Sequence, residues 1–301
     1  MLRYCIIIHV AYIEMGEFMM NLKKKVLFAV TMAMSILVIA GCGGKKEEKK
    51  AAPAKATANK VLRIATNATY VPFEFKDKST KGNDADYEGM EIDMIKEVAK
   101  RLGMTTKMEN IPFNGIIPAI LSKQVDIAAT GMTMTKERSK KVCFAAPFYE
   151  SKLAIVVPKD SPVKSAADLK GKNVAVMVGT TGAKYGEAHG MTVKQFDNSS
   201  EALLEMQVGN APAAIVDKPV GEYYSSLEGK GKGKVKVITI ADSKSELLGF
   251  VMNKENKDLQ TKVNKAIADM KKDGTYGKIY KKWFNVDAPN LPESAEKALG
   301  L

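Results

Sequence analysis

The chain is short of the residues that most catalytic chemistry needs. Its 301 residues include three cysteines, two histidines and one tryptophan. Of Cys5, Cys42 and Cys143, only the last lies beyond the first sixty positions, so no internal disulfide framework can staple the globular part. Cys143 reads as a small buried apolar residue. His9 and His189 are the only histidines, and no Cys/His cluster has metal-ligand spacing. A Ser-His-Asp triad would have to use His189, in the loop-like stretch "GEAHGM". These gaps weigh against metalloenzymes and hydrolases. The apolar run at residues 26–40 has 15 residues, short of the ~20 that cross a bilayer. A concentrated basic patch is also missing. The net charge is +12, but residues 61–301 hold 36 basic and 30 acidic side chains against 10 and 4 in the first sixty. The lysines are scattered and carry no nucleic-acid-binding motif, so no nucleic-acid partner is expected. What remains, 46% hydrophobic and 27% charged, is a globular composition. The length allows one large domain or two smaller ones.

The front end reads as an address. In "MNLKKKVLFAVTMAMSILVIAGC", Lys23, Lys24 and Lys25 precede the apolar run, which ends in Ile39-Ala40-Gly41-Cys42. A basic region, an apolar region and small residues before a cysteine, in that order, make a signal peptide over residues 20–41. It resembles a bacterial lipobox, which implies cleavage, a lipidated Cys42 carrying palmitate-type chains, and a place in the cell envelope. The anchor would lie on the outer face of the cytoplasmic membrane, or face the periplasm in a two-membrane host. Residues 1–19 precede this complete signal and read as a spurious extension, with translation starting at Met19 or Met20. After Cys42, the Gly/Ala/Lys/Glu-rich residues up to Lys60 contain no large apolar side chain. They form a flexible tether.

From Val61 the pattern becomes strand and helix in alternation. "VLRIAT" is a strand, followed by a loop with Tyr70, Phe73 and Phe75, the last two expected in the core. "GMEIDMIKEVAKRLG" places Met90, Ile92, Ile95, Val98 and Leu102 at helical spacing, with Gly103 as its stop. Then come the strand "TTKMENIPF", the helix "GIIPAILSKQ" with Pro118 near its first turn, and the strand "VDIAATGM". This βαβαβ order implies a parallel sheet with ligand groups at the strands' carboxyl ends. A second such unit runs from "KLAIVVPK" to "KVKVITI", including the strand "AAIVD". "ELLGFVMNK" reads as one strand entering a closing helix with Leu259, Val263, Ile267 and Met270 on its apolar face. The expected division is lobe one at 61–148 and 247–286, lobe two at 152–243, and a loosely ordered tail at 287–301.

Runs such as "ATNATYVPFEF", "IPFNGIIPAILSKQVDIAATGMTMTKERSKKVCFAAPFYES", "DLKGKNVAVMVGTTGA", "AAIVDKP" and "DGTYGKIYKKWF" occur in order from Val61 to Phe284. Together they resemble family 3 of the bacterial extracellular solute-binding proteins, the amino-acid receptors of ABC importers, and over the first lobe the glutamine-binding proteins. The resemblance implies a type II periplasmic-binding-protein fold, two α/β lobes joined by two crossover strands. It implies a monomer without cofactor that binds a free amino acid and hands it to a membrane permease. It is not expected to be an enzyme.

The resemblance also assigns residues, and their chemistry suits the roles. An amino acid presents a carboxylate and an ammonium on one carbon. Arg138 offers a planar two-pronged donor for the carboxylate. Thr133 assists from lobe one, and Thr180 and Thr181, in the "GTTG" turn at a helix start, assist from lobe two. Asp217 pairs with the ammonium, together with the Gly131 carbonyl. Tyr70 and Phe113 stand at the aromatic positions that sandwich the ligand side chain. Asn67, Met177 and Val216 replace the aspartate, lysine and histidine of the glutamine-type pattern. With no carboxylate placed at that end, a neutral polar side chain such as glutamine, or methionine, is favoured over arginine or lysine. Glu74 reaching inward would reverse this. Two alternatives share the fold, a dehydratase and a sensory lipoprotein. A dehydratase needs a general acid over the ligand, and the residues assigned here do not supply one.

Overall fold

The computed structural model describes residues 60–76, 86–226 and 229–301. The start site, the signal peptide, Cys42 and all of the tether up to residue 59 lie outside the described residues. The first strand, Lys60–Thr66, takes in Lys60, which was expected in the tether.

Two α/β lobes follow. In the first, five strands run in the order Met104–Asn110, Lys60–Thr66, Ile127–Ala128, Val251–Asn253, Val142–Phe144. The first three are parallel, with Ile64 opposite both Met108 and Ile127. Val251–Asn253 runs antiparallel to its neighbours, so the sheet is mixed rather than wholly parallel. In the second lobe the order is Thr192–Phe196, Asn173–Met177, Ala214–Asp217, Leu153–Pro158, Val235–Thr239. Again the first three are parallel and the other pairings are antiparallel. Leu153–Pro158 and Val235–Thr239, the two ends of the stretch expected to form a second parallel unit, are antiparallel instead, because they carry the chain from and towards the other lobe.

Two short strands cross between the lobes. Tyr149–Ser151 pairs antiparallel with Glu246–Leu248, Ser151 facing Glu246. The stretch "ELLGFVMNK" is therefore two strands, separated at Gly249. A Cβ there would meet the flexible tip of Met134 at 2.2 Å and the Ala145 carbonyl oxygen at 3.3 Å, so glycine lets Met134 pack against the backbone at this break.

Periodicity predicts the helices that build the lobes. Helix Met90–Arg101 buries Ile92, Ile95 and Val98 against Leu62 and Ile64. Full burial of each such side chain contributes roughly 1.5–3 kcal/mol. Helix Lys257–Lys272 adds Val263, Ile267 and Met270 to the same core. Helix Phe113–Leu121 starts earlier than expected and holds Pro118 in its interior; Pro112, with φ fixed at −53°, is its N-cap. The tail is not loose. Ser294 caps helix Ala295–Leu299, and Ala295 is buried in the cluster around Phe113, Met134 and Val251. Phe73 is fully buried and packs edge-on against Tyr149 of the crossing strand at 4.8 Å. Phe75 is half-buried and meets Trp283 at 5.8 Å, so only Phe73 is a core residue. Cys143 is buried and free.

Candidate functional site

Strand ends and helix starts from both lobes converge on one cleft. All ten residues assigned to ligand binding line it, with Glu74 and Thr130 besides. The cavity left between these residues is about 10 Å³, roughly what one water needs, so the cleft is nearly closed. Val216 is not among the lining residues; it packs inside lobe two against the helix that carries Gly221.

Local sequence explains each placement. Tyr70 and Glu74 are directly opposed across a tight hairpin, and opposed residues in an antiparallel pair share a face. Gly131 has φ +55°, and a side chain there would lie 2.5 Å from the Tyr70 ring, so glycine lets the backbone reach the ring. Arg138 sits in the one-turn helix Lys136–Ser139, whose cap Thr135 accepts from the Arg138 N–H at 3.1 Å. Thr180 caps helix Thr181–Ala188, and Asp217 ends the strand Ala214–Asp217.

The Arg138 guanidinium bridges the cleft. Nη1 donates to the Thr133 carbonyl at 2.8 Å, and Nη2 donates to the Gly179 carbonyl of the other lobe at 3.0 Å. Its Cζ stands 5.4 Å from the Phe113 ring centroid, a cation–π contact. A guanidinium has five N–H donors, so donors remain for an anion. Burial lowers its pKa, opposed by Glu246 and Asp217, but a guanidinium stays protonated.

Glu246 was missed by sequence reasoning. It lies on the crossing strand, and its Oε2 accepts from the Thr133 hydroxyl at 3.1 Å and from the Thr181 hydroxyl at 3.0 Å. Burial, reinforced by Asp217, pushes its carboxyl up to about 7 while the two hydroxyls oppose the shift. The Thr180 hydroxyl donates to the Met177 carbonyl at 2.7 Å. Each hydroxyl has one proton. All three expected hydroxyl donors are therefore engaged within the protein. What faces an anion is the Arg138 fork and the free backbone N–H groups at the helix start.

On the opposite side, the Asp217 Oδ1 is buried with no hydrogen-bond donor from the protein. Burial raises its pKa, and Tyr70, Ser151 and Arg138 pull it back. The Tyr70 hydroxyl, also unpartnered, sits close enough to Asp217 for burial and that charge to push its pKa well up. A buried carboxylate that lacks a partner suits an ammonium.

Glu74 overturns the expectation that this pocket has no carboxyl at its side-chain end. It is fully buried, lines the cleft, and neither of its oxygens has a donor. Beside it, Glu91 accepts the Thr130 N–H at 2.9 Å and the Gly131 N–H at 2.6 Å. Burial and the Glu91 charge hold Glu74 well above the usual carboxyl range; burial raises Glu91 to about 7, with the two backbone bonds opposing. Asn67 is less available than expected. Its amide donates to the Ile111 carbonyl at 3.1 Å and accepts from the Thr69 hydroxyl at 3.0 Å. Met177 is buried at the cleft wall and accepts from the Ser199 hydroxyl at 3.7 Å.

Glu74, named from sequence as the residue that would reverse the expectation, and Glu91, which was missed, both carried signals. Glu74 mirrors Tyr70 across a three-residue turn. Glu91 falls on the helix's apolar stripe, four residues before Ile95 and seven before Val98.

Comparison with known proteins fits this architecture. The family model for bacterial extracellular solute-binding proteins, family 3, matches residues 62–286. The chain belongs to that family. Among curated relatives, the arginine-binding extracellular protein ArtP of Bacillus subtilis is 30% identical over 87% of this chain and 98% of its own. The L-cystine-binding protein TcyJ of Escherichia coli K12 is 30% identical over 86% and 96%. Among solved structures, an ancestral arginine-binding protein bound to glutamine is 41% identical with a TM-score of 0.69, covering 75% of this chain and 98% of that one. An ancestral arginine-binding protein bound to arginine gives 42% and 0.68 over 74% and 98%. The ancestral amino acid-binding protein AncCDT-1, described as a precursor of cyclohexadienyl dehydratase, is 39% identical with a TM-score of 0.67 over 74% and 95%. These family members share the two-lobed type II fold.

Proposed function

We propose that this protein is the amino-acid receptor of an ABC importer, a monomer that closes its two lobes on a free L-amino acid and presents it to a membrane permease. The observation that carries this reading is the pairing of an arginine fork with a buried, unpartnered Asp217 oxygen across one small cleft. Together they match the carboxylate and ammonium that every free amino acid carries. Asn67, Tyr70, Gly131, Thr133, Met177, Thr180 and Thr181 shape the remainder of the binding surface. The names of the relatives, which bind arginine or cystine, support the class.

The side chain selected is long and ends in N–H donors. Glutamine remains a candidate on the strength of the neutral walls at Phe113 and Met177. Glu74 adds a carboxyl that glutamine's amide or arginine's guanidinium can reach, and the ancestral relatives' structures with the two ligands support that pair. The receptor is anchored through lipidated Cys42 at the outer side of the cytoplasmic membrane.

One observation favours a second reading. Glu74 is a buried acid whose pKa burial and the Glu91 charge raise well above the usual carboxyl range, as a dehydratase's general acid needs. Two measurements separate the readings. A thermal-shift screen of the twenty amino acids on unfolded and refolded protein should give a strong rise in Tm with glutamine or arginine. Turnover of a cyclohexadienyl substrate, with no shift from any standard amino acid, would instead establish the enzyme.

A further inference from the structure

Two acids that the family resemblance leaves without a role meet at the side-chain end of the cleft. Glu74 and Glu91 are both fully buried. Glu91 is fixed by backbone donors on both its oxygens, from Thr130 and Gly131. Those bonds favour its charged form. Glu74 has no such support: neither oxygen meets a donor, and the Glu91 carboxyl lies beside it. Two carboxyl groups at hydrogen-bonding range share a bond only when one carries a proton, because two adjacent buried negative charges repel strongly.

We propose that Glu74 and Glu91 form a one-proton carboxyl pair that senses the charge of the ligand's side chain. A neutral amide leaves the proton in place between the two acids, and the remaining Glu74 oxygen accepts the amide N–H. A guanidinium or ammonium displaces it. The O–H bond of Glu74 breaks, the proton passes to solvent, and the carboxylate left behind pairs with the incoming cation. One positive charge enters and one leaves, so the buried end keeps its net charge. This rests on the reading of the cleft as a binding site for free amino acids, and it assigns a mechanism by which one pocket accepts both glutamine-like and arginine-like side chains.

The other ionisable groups around Glu74 can be separated from the pair. Glu91 faces it from helix Met90–Arg101, Asp217 from the end of its strand in lobe two, and the Tyr70 hydroxyl from the opposed hairpin strand. Arg138 and Glu246 lie further round the cleft, at the end that takes the α-carboxylate. Asp217, Arg138 and Glu246 respond to the ammonium and carboxylate common to all amino acids. The difference between two ligands that share those groups isolates the side-chain end.

Calorimetry with L-arginine and L-glutamine, each in buffers of different ionisation enthalpy, counts the protons released. Above about pH 7, where Glu91 is ionised, arginine should release up to one proton more than glutamine. Its affinity relative to glutamine should rise by as much as ~10-fold per pH unit. In Glu74→Gln the extra proton and the slope should vanish, whatever affinity remains. Arginine binding with the same proton count as glutamine, or glutamine binding with no arginine binding at any pH, would overturn the carboxyl pair and leave the receptor reading intact. No binding of any of the twenty amino acids would overturn the receptor reading itself.

Discussion

Arg138 of the first lobe donates its Nη2–H to the carbonyl of Gly179 in the second at 3.0 Å. The residue expected to grip a ligand therefore also ties the cleft shut. The same guanidinium holds the Thr133 carbonyl, and Glu137 of the same short helix pairs with Lys184 across the mouth. The Lys184 pair is solvent-exposed and adds little. Arg138 is half-buried against Phe113, where loss of one partner matters more. Arg138→Ala should lower amino-acid affinity by at least ~2 kcal/mol, as truncating one member of a buried charged pair does. Arg138→Lys should also weaken binding, because a lysine cannot present the planar fork. Near-normal affinity in both variants, measured by calorimetry, would remove Arg138 from the site.

Gly131 separates shape from charge. Its φ is +55°, and a Cβ at this position would come within 2.5 Å of the Tyr70 ring, so no side chain fits. Gly131→Ala should push Tyr70 aside and destabilise the protein by ~1–3 kcal/mol. Denaturant unfolding reads the stability, and the ligand affinity should fall with it. A variant with unaltered stability and affinity would show that the Tyr70 ring is not held against this turn.

The pH dependence of stability follows from the three buried acids. Glu74 is held well above its unfolded value, and Glu91 and Glu246 are raised to about 7. An unfolded glutamate titrates near ~4.3. Between these values the folded state binds more protons than the unfolded one, so the contribution of these groups to stability falls as pH rises. It is complete below the unfolded value and lost as pH passes the folded ones. Glu74→Gln keeps the shape and removes one acid. It should raise Tm at pH 8 and flatten the slope between pH 5 and 8. A slope identical to the parent's would show that Glu74 does not stay protonated in the fold.

Much of the fold and part of the site are legible in the sequence. Helical spacing places Ile92, Ile95 and Val98 on one buried stripe. The order of strands and helices places Thr133, Thr181 and Asp217 near strand ends. Pattern reading fails where tertiary contacts decide. The crossing strands Tyr149–Ser151 and Glu246–Leu248 have three residues each, too few for an alternating signal, and so nothing in the pattern marks Glu246. The hydroxyls of Thr133, Thr180 and Thr181 look free in sequence, yet each is spent on an internal acceptor. Glu74 is a candidate from its place beside the aromatics, but its neighbour Glu91 lies 17 positions away on a helix, and only the fold brings them together.

Anchoring can be tested separately from binding. Cys42→Ser should abolish lipid labelling and release a soluble protein. A variant that is still labelled and membrane-bound would exclude Cys42 as the attachment site. Because the tether and lobes are distinct in composition, the released protein should bind its amino acid with unchanged affinity.

Recognition of the two charges on an amino acid's α-carbon is tested most directly by calorimetry with the strongest-binding amino acid, its α-carboxamide and its N-acetyl derivative. The carboxamide removes the charge assigned to Arg138, and acetylation removes the charge assigned to Asp217. Each should weaken binding by at least ~30-fold, which is ~2 kcal/mol. Equal affinity for the parent and either derivative would contradict the assignment of that end of the cleft.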